Sequence, residues 1–182
     1  NKIITTGEGG MVLTSDPKMA QRAASYRNLC FRPEKRFYHT ELGFNFRMTN
    51  LQAAIGVAQM DRIDEFIQIK RRLGDYYHEG LSKIKGIKCQ VEKPWAKMVY
   101  WMYCIELDRA LGLDAAVMMK EMGQKGIGTR PFFLGLHEQP ALHDLGFFKG
   151  ERYPVTKRIA RQGLYLPSGM ALTKKQIDEV VA

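Results

Sequence analysis

Asn1-Lys2-Ile3-Ile4-Thr5-Thr6-Gly7-Glu8-Gly9-Gly10-Met11-Val12 is the segment from which the rest of this chain is interpreted. Its lysine is flanked by apolar and small residues. The spacing predicts two short strands over residues 3–6 and 11–14, joined by Gly7-Glu8-Gly9-Gly10, because glycine supplies the positive backbone angles that such a turn needs. A lysine amine held near a sheet edge can form a Schiff base with an aldehyde once its proton is lost. The glycine turn is no phosphate loop, since it lacks both G-x-G-x-x-G and a terminal Lys-Ser or Lys-Thr.

Downstream, Asp16 caps a predicted helix that has Pro17 in its first turn and runs to about residue 29. Residues 31–47 form a long aromatic and charged connection. A connection of that length within a compact protein is usually functional or disordered, and its aromatic content argues against disorder. Thr49 and Gln52 make a T-x-x-Q capping box. The helix that follows is predicted to reach about residue 83, with a break near Asp61. Beyond Gly86 the pattern changes. Strands are predicted over residues 87–91, 99–107 and 127–133, and helices over 114–125, 155–162 and from Thr173, which opens a second T-x-x-Q box. Met118, Met119 and Met122 fall on one helix and read as core filler. This alternation describes a small α+β domain over residues 86–182.

The 182 residues are 45% hydrophobic and 26% charged, which are globular values. No apolar run reaches the length of a membrane span. Cys30, Cys89 and Cys104 are odd in number, contain no C-x-x-C and do not combine with the four histidines at zinc-ligand spacing. The expectation is reduced thiols in a cytoplasmic protein without a metal site. The net charge of +9 is spread along the chain, densest at Lys83, Lys85, Lys88, Lys93 and Lys97. No recognition helix or zinc finger accompanies it, so it reads as a solvated face, or in part as an attraction for a phosphate-bearing small molecule, and not as a nucleic-acid surface.

Four blocks in order resemble one family. The opening Lys2 segment, Gly43-Phe44-Asn45-Phe46-Arg47-Met48-Thr49-Asn50-Leu51-Gln52, Gly126-Ile127-Gly128-Thr129-Arg130-Pro131-Phe132-Phe133 with Leu136-His137, and Gln162-Gly163-Leu164-Tyr165-Leu166-Pro167-Ser168-Gly169 are similar to the signatures of the DegT/DnrJ/EryC1/StrS sugar aminotransferases. The last two blocks resemble most the members that aminate a 4-keto-6-deoxy sugar carried on a nucleotide diphosphate. The resemblance implies an α/β chain of fold type I that uses pyridoxal 5'-phosphate. It implies a C-terminal portion of such an enzyme: residues 1–85 ending the large cofactor-binding domain with a long connecting helix, and residues 86–182 forming the small domain. The cofactor's ring-pairing aspartate, stacking aromatic and phosphate turn are then expected upstream, and this portion alone is expected to be inactive.

The resemblance also implies roles. Lys2 would hold the cofactor through its aldehyde and shuttle a proton between substrate and cofactor. From position alone, Lys2 is an exposed lysine near a strand end. Asn45 would donate an amide N–H to the cofactor phosphate of a neighbouring subunit, in a homodimer with shared active sites; read alone, it is a turn asparagine after Gly43. Phe44 and Phe46 stand where the family commonly has tyrosines, which keeps the rings and loses two hydroxyls. Arg47 either joins Asn45 at the phosphate or braces the loop. His137 and Arg130 would bind the sugar nucleotide, the arginine offering its planar fork to a diphosphate; read alone, they are a loop cap and a surface ion pair. The partners implied are a nucleotide-diphosphate keto sugar and a glutamate-like amino donor. A non-catalytic homologue that kept the fold and its dimer surface is the alternative.

Overall fold

The computed structural model describes residues 2–182; Asn1, which opens the first sequence block, lies outside the described residues. The chain forms two compact units that divide at Ile63/Asp64.

The first unit holds two helices. In α1 (Pro17–Arg27), Asp16 Oδ1 accepts from the N–H groups of Lys18 and Met19, and Pro17 sits where its missing N–H is no loss. α1 stops two residues earlier than expected because Leu29 and Cys30 adopt positive φ. The chain then makes the long connection read from the sequence. A bridge between Asn28 and Asn45 closes it, with Leu29 N donating to Phe44 O at 3.0 Å and Phe44 N to Tyr26 O at 2.7 Å. Gly43 makes this closure possible, since a Cβ there would lie 2.4 Å from the Leu29 carbonyl carbon. α2 (Asn50–Met60) begins with the predicted capping box of Thr49 and Gln52, both halves formed.

The two strands expected over residues 3–6 and 11–14 do not form. The segment has no ladder partner among the described residues, and Met11, Val12 and Leu13 are exposed. β propensity yields a strand only where a neighbour takes up the backbone bonds.

The second unit opens with α3 (Ile63–Leu81), separated from α2 by the predicted break. The helix buries Leu73, Tyr77 and Leu81, one residue every four along a single stripe. They pack with Tyr103, Ile105 and Leu107 of β2 (Tyr103–Leu107), Leu164 and Leu166 of β4 (Gly163–Leu166) and Ile177 of α7 (Lys174–Val181). The sheet is completed by β1 (Ile87–Cys89) and β3 (Arg130–Pro131); the order is β1-β2-β4-β3, all neighbours antiparallel. β2 alternates buried and half-buried residues, as a strand with one face on a core does. α4 (Ala115–Gln124), α5 (Pro140–Asp144) and α6 (Pro154–Gln162) connect the strands. Met118, Met119 and Met122 of α4 do pack against the core. The long helix shares its core with the sheet, and the two fall in one compact unit, Asp64–Ala182.

Three strands are shorter than the sequence suggested, β1 ending already at Cys89. Residues 99–102 turn instead of extending, with Tyr100 at positive φ and its ring 2.7 Å from where a Cβ of Gly74 would stand. β3 is a two-residue edge strand, and Pro131 there has no N–H to offer the ladder. β4 was missed because it follows α6 with no linker, so helical and strand patterns run together at Gln162-Gly163.

Candidate active site

In the first unit, the Lys2 segment is fastened to α2 by two glutamines. Thr5 N–H donates to Gln59 Oε1 at 2.9 Å, and Gln59 Nε2 donates to Thr5 O at 2.6 Å. The side-chain amide thus pairs with both polar groups of Thr5, as a neighbouring strand would. The same Nε2 also donates to Ile55 O at 2.9 Å, which anchors the clamp to its own helix. Two turns away on the same face, Gln52 Nε2 donates to Glu8 O at 3.2 Å while its oxygen completes the helix cap. Inside the turn, Gly7 N donates to Thr5 Oγ1 and Thr6 Oγ1 donates to Glu8 O at 2.7 Å. Gly9 has a φ of 150°, and a Cβ on it would meet Thr6 Oγ1 at 2.8 Å. The Lys2 side chain is exposed at the head of this pinned turn. Sequence reasoning missed Gln59 altogether; its signal is the seven-residue spacing from Gln52, which puts both on one helix face.

Asn45 lies in the closure that ties residues 44–46 to residues 26–29, with an exposed side chain. Arg47 Nε donates to its Oδ1 at 3.0 Å. The amide's N–H₂ end has no partner among the described residues, so it is available to a ligand acceptor.

Arg130 and His137 belong to the second unit. Arg130 lies opposite Tyr165 across β3 and β4 and is exposed; no ion pair or hydrogen bond engages its guanidinium among the described residues. It lines an open cavity of about 170 Å³ with Met102, Gly128, Thr129, Tyr165 and Ser168. Behind the cavity wall, the buried Lys70 Nζ donates to Ser168 O and to Trp101 O at 2.8 Å. Burial lowers the Lys70 pKa. His137 is half-buried in a 3₁₀ turn (Leu136–Glu138) and is not part of the cavity lining. Its ring leans on Tyr153 at 4.8 Å, and His143 Nε2–H donates to its carbonyl at 2.6 Å. Gly135 makes room for it, because a Cβ there would lie 2.4 Å from the imidazole.

One unit thus carries an amine on a pinned turn and an amide with an open N–H₂ end, and the other a guanidinium beside a cavity, without a partner among the described residues. The DegT/DnrJ/EryC1/StrS aminotransferase family model matches residues 1–182. This chain belongs to that family. GDP-perosamine synthase of Caulobacter vibrioides is 35% identical over 186 residues, spanning 100% of this chain and 48% of that protein. Among solved structures, the aminotransferase TlmJ from Streptoalloteichus hindustanus superposes with a TM-score of 0.85 at 27% identity over 98% of this chain and 47% of that one. DesI, solved in the presence of its TDP-sugar product, superposes with a TM-score of 0.83 at 27% identity over 98% and 45%. The fold type I expectation is thereby met. The chain spans about half the length of the relatives it matches.

The donor set suits the family's cofactor in kind. Lys2 carries an amine for an aldehyde, and Asn45 presents amide N–H donors whose opposite end is already committed to Arg47, as a phosphate oxygen requires.

Proposed function

We propose that this chain is the C-terminal portion of a pyridoxal-phosphate-dependent aminotransferase that moves an amino group from a glutamate-like donor to a keto sugar carried on a nucleotide diphosphate. The observation that carries the reading is Lys2, which heads a turn clamped by Gln59 and Gln52 in a chain matched end to end by the family. Residues up to Ile63 form the end of a larger domain. Among the described residues of this stretch only Cys30 is buried, while Met11, Leu13, Phe37, Leu42 and Leu51 are each at least 80% exposed. Such a surface suits burial against further protein, upstream sequence and a second copy included.

When bound, pyridoxal phosphate supplies the electron sink on which amino-group transfer depends. The chain's own residues bind, orient and move protons. Lys2 Nζ would hold the cofactor through its aldehyde, which requires the neutral amine, and as a free amine it would carry a proton between donor and acceptor positions. The Gln59 clamp fixes the backbone from which that side chain swings. Asn45 Nδ2 donates to the cofactor phosphate of the neighbouring subunit. Arg130 offers paired N–H donors to the substrate diphosphate, and His137 a single donor to a hydroxyl or phosphate oxygen.

The test joins this chain to the upstream half of a relative, adds pyridoxal phosphate and reduces with borohydride. A mass adduct mapped to Lys2, absent in Lys2→Ala, is expected. An adduct retained at the site in Lys2→Ala removes Lys2 from the role. Nucleotide-sugar binding that is indifferent to pyridoxal phosphate, with no adduct at all, would favour the non-catalytic homologue.

A further inference from the structure

Residues 44–47 are extended, and their side chains pair two apart. Phe44 and Phe46 stack with ring centroids 5.0 Å apart and planes 5° from parallel. Asn45 and Arg47 bond to each other, Nε to Oδ1, at 3.0 Å. An extended backbone sends alternate residues to opposite sides, so the ring stack and the polar pair hold the two faces of one short segment. The Asn28–Asn45 bridge and the bond from Phe46 N to Arg27 O fix that segment to the end of α1.

An asparagine amide has two ends of opposite sense and similar shape. Facing an anion, the N–H₂ end attracts and the oxygen end repels. A guanidinium has donors only, so a bond from Arg47 can be made to the oxygen end alone. With Oδ1 committed, the amide has one orientation left, and both Nδ2 hydrogens remain without a partner among the described residues.

We propose that Arg47 is a positioning residue that presents the Asn45 amide donor-end first to the cofactor phosphate. This rests on the reading of Asn45 as a phosphate donor. The competing role for Arg47 is direct charge contact with the same phosphate.

A double-mutant cycle on the aminotransferase completed by its upstream half separates them. Dissociation constants for pyridoxal phosphate and for pyridoxal, which lacks the phosphate, are measured by fluorescence quenching at fixed ionic strength. Asn45→Ala is expected to weaken pyridoxal phosphate about tenfold and pyridoxal hardly at all. Arg47→Met is expected to weaken pyridoxal phosphate roughly three- to fivefold when Asn45 is present and to have almost no effect in the Asn45→Ala background. Arg47→Lys, which keeps a donor, is expected to recover part of the loss. Equal losses from Arg47→Met in both backgrounds would show that the guanidinium acts on the phosphate itself and overturn the proposal. If Asn45→Ala leaves the preference for the phosphorylated form intact, the reading of Asn45 fails first and this proposal with it.

Discussion

Two tyrosines stacked in the core, with ring centroids 4.9 Å apart, have opposite fates for their hydroxyls. Tyr77 O–H donates to Pro167 O at 2.8 Å. The Tyr103 hydroxyl has no hydrogen-bonding nitrogen or oxygen and lies against the Cys89 thiol. Removing a satisfied buried hydroxyl strands its acceptor, whereas removing an unsatisfied one relieves a desolvation penalty. Tyr77→Phe should therefore cost about 1–2 kcal/mol in urea unfolding, and Tyr103→Phe should be neutral or stabilising. Cys104 is a second residue-level case. Burial pushes its thiol up to about 12, so it stays protonated and inert at neutral pH. Iodoacetamide labelling at pH 7.5 followed by mass spectrometry should find Cys104 unmodified in the folded chain and labelled in urea.

Among the elements, the capped helices were legible, and so was the existence of β1, β2 and β3 but not their lengths, while β4 and the short α5 were not expected. Asp16, Thr49, Asp114 and Thr173 cap where the sequence placed them, because a cap depends on residues two or three apart. β1, β3 and β4 depend on partners far along the chain, and each is four residues or fewer. The clamp on Thr5 shows the same dependence, since Gln59 lies 54 residues away. Gln59→Leu should raise the exchange rate of the Thr5 amide hydrogen about tenfold while leaving α1 amides unchanged, as read by hydrogen exchange. At the other end of the chain, a Cβ on Gly163 would overlap the Phe132 ring and come within 2.6 Å of Ile159 O. Gly163→Ala should cost about 1–3 kcal/mol by overpacking at the joint of α6 and β4.

At the scale of the molecule, the two units differ in what they bury. The core of Leu73, Tyr77, Leu107, Leu164 and Ile177 lies wholly in the second unit. Residues 64–182 expressed alone should unfold cooperatively on heating, while residues 2–63 alone should aggregate or remain without a transition. The pH dependence of the second unit follows from its buried groups. Lys70 has a lowered pKa through burial, so the unfolded state holds that proton more tightly. The penalty for burying the charge is full below the lowered pKa and fades as pH rises towards 10.5. Cys104 and Tyr77 have raised pKa values through burial, so stability falls as the unfolded thiol ionises above 9.0 and unfolded tyrosines above 10.0. Urea unfolding across this range should show a steeper net loss of stability with pH in Lys70→Met than in wild type, where relief of the Lys70 penalty offsets part of the loss.

The sequence by itself determined the family and the capped helix starts, and it supplied candidates for the site, because caps, turn glycines and motif order are local properties of the chain. Lys2, Asn45, Arg130 and His137 could be named without coordinates for that reason, and the family match over residues 1–182 agrees with the motif order that led to them. Tertiary structure alone decided that α3 packs with the sheet, that residues 3–14 stay irregular, that Gln59 clamps Thr5 and that Arg47 donates to the Asn45 amide oxygen. Each of these depends on which groups meet across space, and a hydrogen bond has a direction and a partner only once the backbone has brought both together.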